Sequence, residues 1–175
     1  MSYFDDTQRA LAVLVALIRG PQPLEGRVRI QKMMYLLKAL GLPGLERIRY
    51  AYHHYGPYSE QIAGAMRRAV ASGLIVEDKE QFDDEWQKFT YALDAEHPDA
   101  SYLELGADQL ELVERVKLAV ADRHWRVLEL AATVVFLERE AQVERHEALR
   151  RALGHKPACE PYKNQALDLL ERLGL

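Results

Sequence analysis

Cys159 follows His155 in the loop between Gly154 and Pro161, and a thiol beside an imidazole is the pair that a cysteine nucleophile requires. No further residue completes that arrangement, and a single loop cysteine reads as incidental. His53 and His54 are adjacent, and neighbouring side chains on a strand point to opposite faces, so the two are poorly placed to chelate one metal. His124, His146 and His155 are scattered, and His146-Glu147 lacks the second histidine one helical turn later that a zinc-peptidase helix carries. Neither a glycine-rich phosphate loop nor a Gly-x-Ser-x-Gly elbow is present. The expectation is a non-enzymatic protein with no catalytic residues, no metal and no cofactor.

Binding chemistry is better represented. Up to Val76 there are ten basic residues against five acidic, whereas the remainder carries thirteen against twenty-two, for a net charge of −4. Within the positive part, Gln61, Arg67 and Arg68 share the polar face of an expected helix over 59–72 and have the side chains to read base edges in a major groove. Arg27, Arg29 and Lys32, at the start of another helix, are candidates to hold phosphates. Double-stranded DNA is therefore one expected partner. Against it stand Glu77, Asp78, Glu80, Asp83, Asp84 and Glu85, opposed only by Lys79, in a segment that would meet the nucleic-acid backbone as a wing. The rings of Tyr50, Tyr52, Tyr55 and Tyr58 suit a protein interface instead, since tyrosine gives much contact area at little entropy cost.

These residues need a scaffold. A chain of 175 residues that is 49% hydrophobic and 29% charged builds one core without staples. With a single cysteine it has no internal disulfide, which fits a reducing cytoplasm. The apolar run Ala10–Ile18 is half the length a bilayer requires and follows Asp5 and Asp6, so neither a membrane segment nor a signal peptide is expected.

Apolar spacing predicts helices over 7–19, with Asp6 or Thr7 as cap, and over 27–40, ended by Gly41. An extended segment over 48–55, a turn at Gly56-Pro57 and a helix capped by Ser59 follow, the last burying Ile62, Ala63, Met66, Ala69 and Val70. A strand at 74–76, a polar tip over 77–85 and a returning strand over 86–93 complete the order of a winged helix-turn-helix. Beyond a loop at 95–106, helices are expected over 108–121, 124–140, 142–153 and 161–173. Leu128–Leu137 is apolar except for Glu129 and Thr133, so it should be buried, either against the winged-helix part or as the seam of a homodimer formed by the C-terminal helices. The predicted class is mainly α (α+β). A winged helix-turn-helix-like part with a small β-hairpin wing (1–94) carries a packed C-terminal helical subdomain (95–175), the two forming one compact unit.

Arg29-Ile30-Gln31-Lys32-Met33-Met34-Tyr35-Leu36 resembles the Leu-Gln-Lys-Leu-Leu-Tyr-Leu helix of the SocA-like (Panacea) antitoxin domain. Tyr55-Gly56-Pro57-Tyr58-Ser59 resembles its Tyr-Gly-Pro turn, and Gly73-Leu74-Ile75 its helix exit. The closer similarity is to the YwgA type of small bacterial protein, which joins a His-x-Tyr-Gly-Pro-Tyr-Ser string to a C-terminal Glu-Leu-Ala-Ala-Thr; here these are His53–Ser59 and Glu129–Thr133. The SocA-like resemblance implies an antitoxin or adaptor whose partner is a toxin, a protease or another regulatory protein. Gln31, Tyr35, Tyr52, His54, Tyr55, Gly56, Pro57 and Tyr58 are its motif or partner-binding candidates. On physical grounds the motifs look structural first. Gln31 is placed to bond backbone in the neighbouring turn, Tyr35 to give its ring to the core, and Gly56-Pro57 to set the entry of the next helix. A protein-interaction role is preferred to DNA binding.

Overall fold

A computed structural model describes residues 3–81 and 87–175, with side chains from Asp6 onward. The fold is mainly helical with a small antiparallel sheet. Helix α1 (Tyr3–Ile18) begins earlier than expected, so Asp6 and Thr7 lie within it. Polar residues sit comfortably on the solvated side of a helix and do not mark its end.

After a two-residue strand β1 (Leu24–Glu25), helix α2 (Arg27–Ala39) runs through the middle of the molecule. Its stop is legible in the sequence. Gly41 takes φ +81°, its N–H bonds the Lys38 carbonyl, and the Leu42 N–H bonds the Leu37 carbonyl, the paired closure of a Schellman end. Every residue from Ile30 to Leu37 is buried, including Gln31 and Lys32. A helix wrapped on all sides must find internal partners for its polar side chains, because an unpaired buried polar group costs about 1–3 kcal/mol and a charge more.

Strand β2 (Ala51–His53) pairs with β3 (Gly56–Tyr58) in a short hairpin. The turn is His54–Tyr55, not Gly56-Pro57, which belongs to the returning strand opposite Tyr52 and His53. The extended stretch is correspondingly shorter than the predicted 48–55. Ser59 caps helix α3 (Glu60–Ala71), accepting from the Ile62 N–H at 3.4 Å. That helix is rotated relative to expectation. It packs on α1 through Ile62, Ala65 and Ala69, while Ala63, Met66 and Val70 line an open cleft.

Strand β4 (Ile75–Gln81) extends through Glu77, Asp78, Lys79 and Glu80, predicted as a polar tip, and pairs with β5 (Gln87–Leu93). Cross-strand pairing keeps acidic residues extended when their side chains remain in water. Trp86 and the tip acids Asp83, Asp84 and Glu85 lie outside the described residues. The sheet order is β1-β5-β4.

The predicted loop over 95–106 contains a short 3-10 turn at Pro98–Ser101. Helix α4 (Ala107–Val120) follows, then α5 (Trp125–Ala141), whose residues Val127–Phe136 are all buried, against α2, β3, α6 (Arg145–His155) and α7 (Lys163–Leu173). A dimer seam along Leu128–Leu137 is thereby corrected, because this chain's own elements cover that segment. Gln142 ends α5 in a left-handed conformation rather than opening the next helix, and Pro157–Tyr162 forms a second 3-10 turn before α7. Among the described residues no helix is long and apolar enough to cross a membrane.

Candidate functional site: a ring-bearing hairpin on buried polar anchors

Three connections fasten the β2–β3 hairpin from beneath. Gln31 and Ser59 bond reciprocally: Nε2 donates to the Ser59 carbonyl and Oε1 accepts the Ser59 N–H, both at 3.0 Å. The buried Lys32 ammonium donates to the Pro57 carbonyl at 2.7 Å. Lys156, between α6 and the second 3-10 turn, donates to the His54 carbonyl and to Glu129 Oε1 on α5, the latter at 2.7 Å. Carbonyls of the short hairpin, and both backbone groups of Ser59 just after it, are thus satisfied by side chains from two separate segments, α2 and the connection after α6.

Gly56 explains the seat. Its φ is +86°, and a Cβ there would collide with Oγ1 of Thr133, the residue whose hydroxyl bonds the Glu129 carbonyl at 2.7 Å. Neither His54 nor Tyr55 has positive φ, so Gly56 alone takes the left-handed step that closes the hairpin. The two strings noted in the sequence, Tyr-Gly-Pro-Tyr-Ser and Glu-Leu-Ala-Ala-Thr, are therefore two sides of one contact.

The polar cluster below is charged. Glu129 and Lys156 form an ion pair with side chains only 6% and 5% exposed. Burial pushes the Lys32 ammonium down to about 7, Lys156 adding to the effect and Glu129 opposing it. The Cys159 thiol lies 3.6 Å from Glu129 Oε2 and is pushed up to about 11, by burial first and by that carboxylate second. A buried thiol that holds its proton so far above neutral pH is a poor nucleophile. Among the described residues no group of three or more His, Cys, Asp or Glu side chains is gathered as metal ligands would be.

The predicted partner-binding residues divide into two layers. Gln31, Tyr35, Gly56 and Pro57 are buried; the Tyr35 ring packs edge-on to Tyr50 at 4.9 Å. Tyr52, His54 and Tyr55 are exposed, with Tyr58 half-buried. The exposed layer extends onto the C-terminal helices. Tyr55 meets Trp125 edge-on at 6.0 Å, Tyr52 lies 5.7 Å from His155, and His124 stacks on Tyr162 at 4.6 Å.

The predicted DNA-facing residues are largely occupied. Arg27 bonds the Tyr91 hydroxyl and Glu77; Arg29 bonds the carbonyls of Val120 and Arg123, capping α4. Lys32 is inside the protein, out of reach of a phosphate. Gln61 accepts the Arg49 N–H, and Arg67 pairs with Glu60. Arg68 is exposed on the outer face of α3.

Sequence reasoning missed Glu129, Lys156, Thr133 and Trp125. A usable signal existed for the first and third, because a carboxylate and a hydroxyl inside an otherwise apolar helix must both find buried partners.

The chain is 25% identical over 148 residues to an uncharacterised protein, YwgA, of Bacillus subtilis (strain 168), an alignment spanning 85% of this chain and 86% of that protein. No family model matches.

Proposed function

We propose that this protein is a winged-helix-like, non-enzymatic interaction module that recognises a partner protein through the β2–β3 hairpin, in an antitoxin- or adaptor-like role. The element order around α1, β1, α2, α3, β4 and β5, with sheet order β1-β5-β4, supports the winged-helix reading. The observation that carries the function is the immobilised aromatic layer. Tyr52 and Tyr55, 40% and 52% exposed, stand on a hairpin whose backbone is tied to buried Gln31, Lys32 and Lys156. Rings held in place before binding lose little freedom when a partner covers them, which is how a few residues come to dominate an interface. DNA reading by α3 is disfavoured because Gln61 and Arg67, two of its three proposed base-reading side chains, already serve intramolecular partners.

The test is capture of a cellular partner by the full chain, identification by mass spectrometry, and titration of the purified pair. Substituting two interface rings should weaken binding about a hundredfold, so Tyr52→Ala with Tyr55→Ala is expected to abolish recovery while circular dichroism stays unchanged. A double variant that binds its partner as the wild type does would overturn the proposal. So would tight binding of duplex DNA with steep salt dependence.

A further inference from the structure

We infer that the cleft between the first turn of α2, the β2–β3 turn, β5 and the start of α5 receives an acidic segment of the partner protein that carries an aromatic or large aliphatic anchor; this rests on the protein-binding reading above. The cleft has a volume of about 730 Å³. Its walls carry Tyr55, Phe89 and Trp125, with Arg27, Arg29 and Lys88 facing a single acid, Glu25. An apolar or aromatic anchor and a carboxylate can be seated there together.

Charge decides the class of occupant. Lys88 is paired with Glu25 at 3.0 Å and Arg27 with Glu77 at 3.1 Å. Among the described residues Arg29 hydrogen-bonds only carbonyl oxygens, at 2.9 and 2.8 Å, with Glu25 acting on its charge as well, and Arg126 beside Trp125 donates to the Ala158 carbonyl at 3.0 Å. A carbonyl orients a guanidinium without cancelling its charge, so both still add positive potential to this face. Behind the hairpin Lys32 and Lys156 share the one carboxylate of Glu129. This face is positive in a chain whose net charge is −4. The rings are supported by cations as well: the Arg27 guanidinium lies 3.8 Å above the Phe89 ring and that of Arg126 lies 5.1 Å from the Trp125 ring.

A nucleic acid is the less suitable polyanion. A strand leaving the cleft along the sheet meets Glu77 on one face of β4 or Asp78 and Glu80 on the other, whereas a short acidic peptide segment ends before them.

A random peptide library panned over the immobilised full chain tests the inference. The expected result is enrichment of sequences with Asp or Glu beside an aromatic or large aliphatic residue. A synthesised winner should bind about tenfold more weakly to Lys88→Glu and to Tyr55→Ala, and more weakly at high salt, but unchanged to Val76→Ala on β4. Both altered side chains reach solvent, and circular dichroism checks that the variants remain folded. Enrichment of basic or uncharged sequences, no enrichment, indifference to Lys88→Glu, or displacement of the peptide by oligothymidine overturns the inference. A cellular partner that requires Tyr52 and Tyr55 but ignores Lys88→Glu and salt overturns this inference alone and leaves the proposed function standing.

Discussion

The two hairpins of this protein are built on opposite principles. The β4–β5 hairpin pairs seven residues on each strand, from Ile75 with Leu93 to Gln81 with Gln87, and β5 pairs again with β1. Its ladder makes its shape, so most of the β4 side chains can remain in water. The β2–β3 hairpin pairs only three residues per strand and lies outside that sheet. A ladder so short is not stable by itself in water. Its shape comes from Gln31, Lys32, Lys156 and the Thr133 seat beneath Gly56. The lesson is that a surface element can take its geometry either from its own hydrogen bonds or from the core, and only the second kind is sensitive to distant buried charges.

Substitution can break that contrast. The largest effect is expected for Glu129→Gln, which leaves Lys156 and Lys32 without their shared carboxylate. Removing one partner of a buried pair costs about 3–5 kcal/mol, measurable as a lowered urea midpoint at unchanged slope. Gly56→Ala should cost about 3 kcal/mol, combining left-handed strain with the collision at Thr133. In the double variant with Thr133→Ala, part of that loss should return in the same unfolding experiment. A full, additive loss would mean that the seat is not where the cost arises.

A pH series sharpens the comparison further. The Lys32 ammonium is held near 7 in the folded protein but titrates near 10.5 when unfolded. Between these values the unfolded chain binds the extra proton, so stability should rise with pH, by at most about 1.4 kcal/mol per unit. The clean window is pH 7–9. Above it the raised Cys159 thiol works in the opposite direction, since the unfolded chain gives up that proton first. In Lys32→Met most of the rise over pH 7–9 should disappear, the Lys38 ammonium, also lowered by burial, keeping the rest. The smallest effect belongs to the self-paired hairpin: Val76→Ala and Glu80→Ala, both at exposed positions, should change stability by less than about 0.5 kcal/mol.

Much of the scaffold was legible because its signals are local. Gly41, Ser59 and the periodicity of α2 act within a turn or two of where they stand. The polarity of Glu77–Glu80 hid a strand, because pairing with β5 is a property of residues eight or more positions away. The site was half legible. Tyr52, Tyr55 and Gln31 could be singled out by type and by their motif, and Gln31 makes the backbone bond expected of it. Lys32 looked like a surface phosphate ligand, since nothing in a helical pattern tells whether a lysine stem points outward or across 25 positions to the Pro57 carbonyl. The Lys156 to His54 bond joins residues 102 positions apart, and no local rule reaches that far.

That last bond also sets an order of events during synthesis. As the chain leaves the ribosome, residues 51–58 emerge long before α5 supplies the Thr133 seat, and before Lys156 can reach the His54 carbonyl. The β4–β5 ladder needs nothing translated after Leu93 to form its own pairs. The ring-bearing surface is therefore among the last parts of the molecule to take shape, and a nascent chain exposes no finished version of it until the C-terminal helices have folded back.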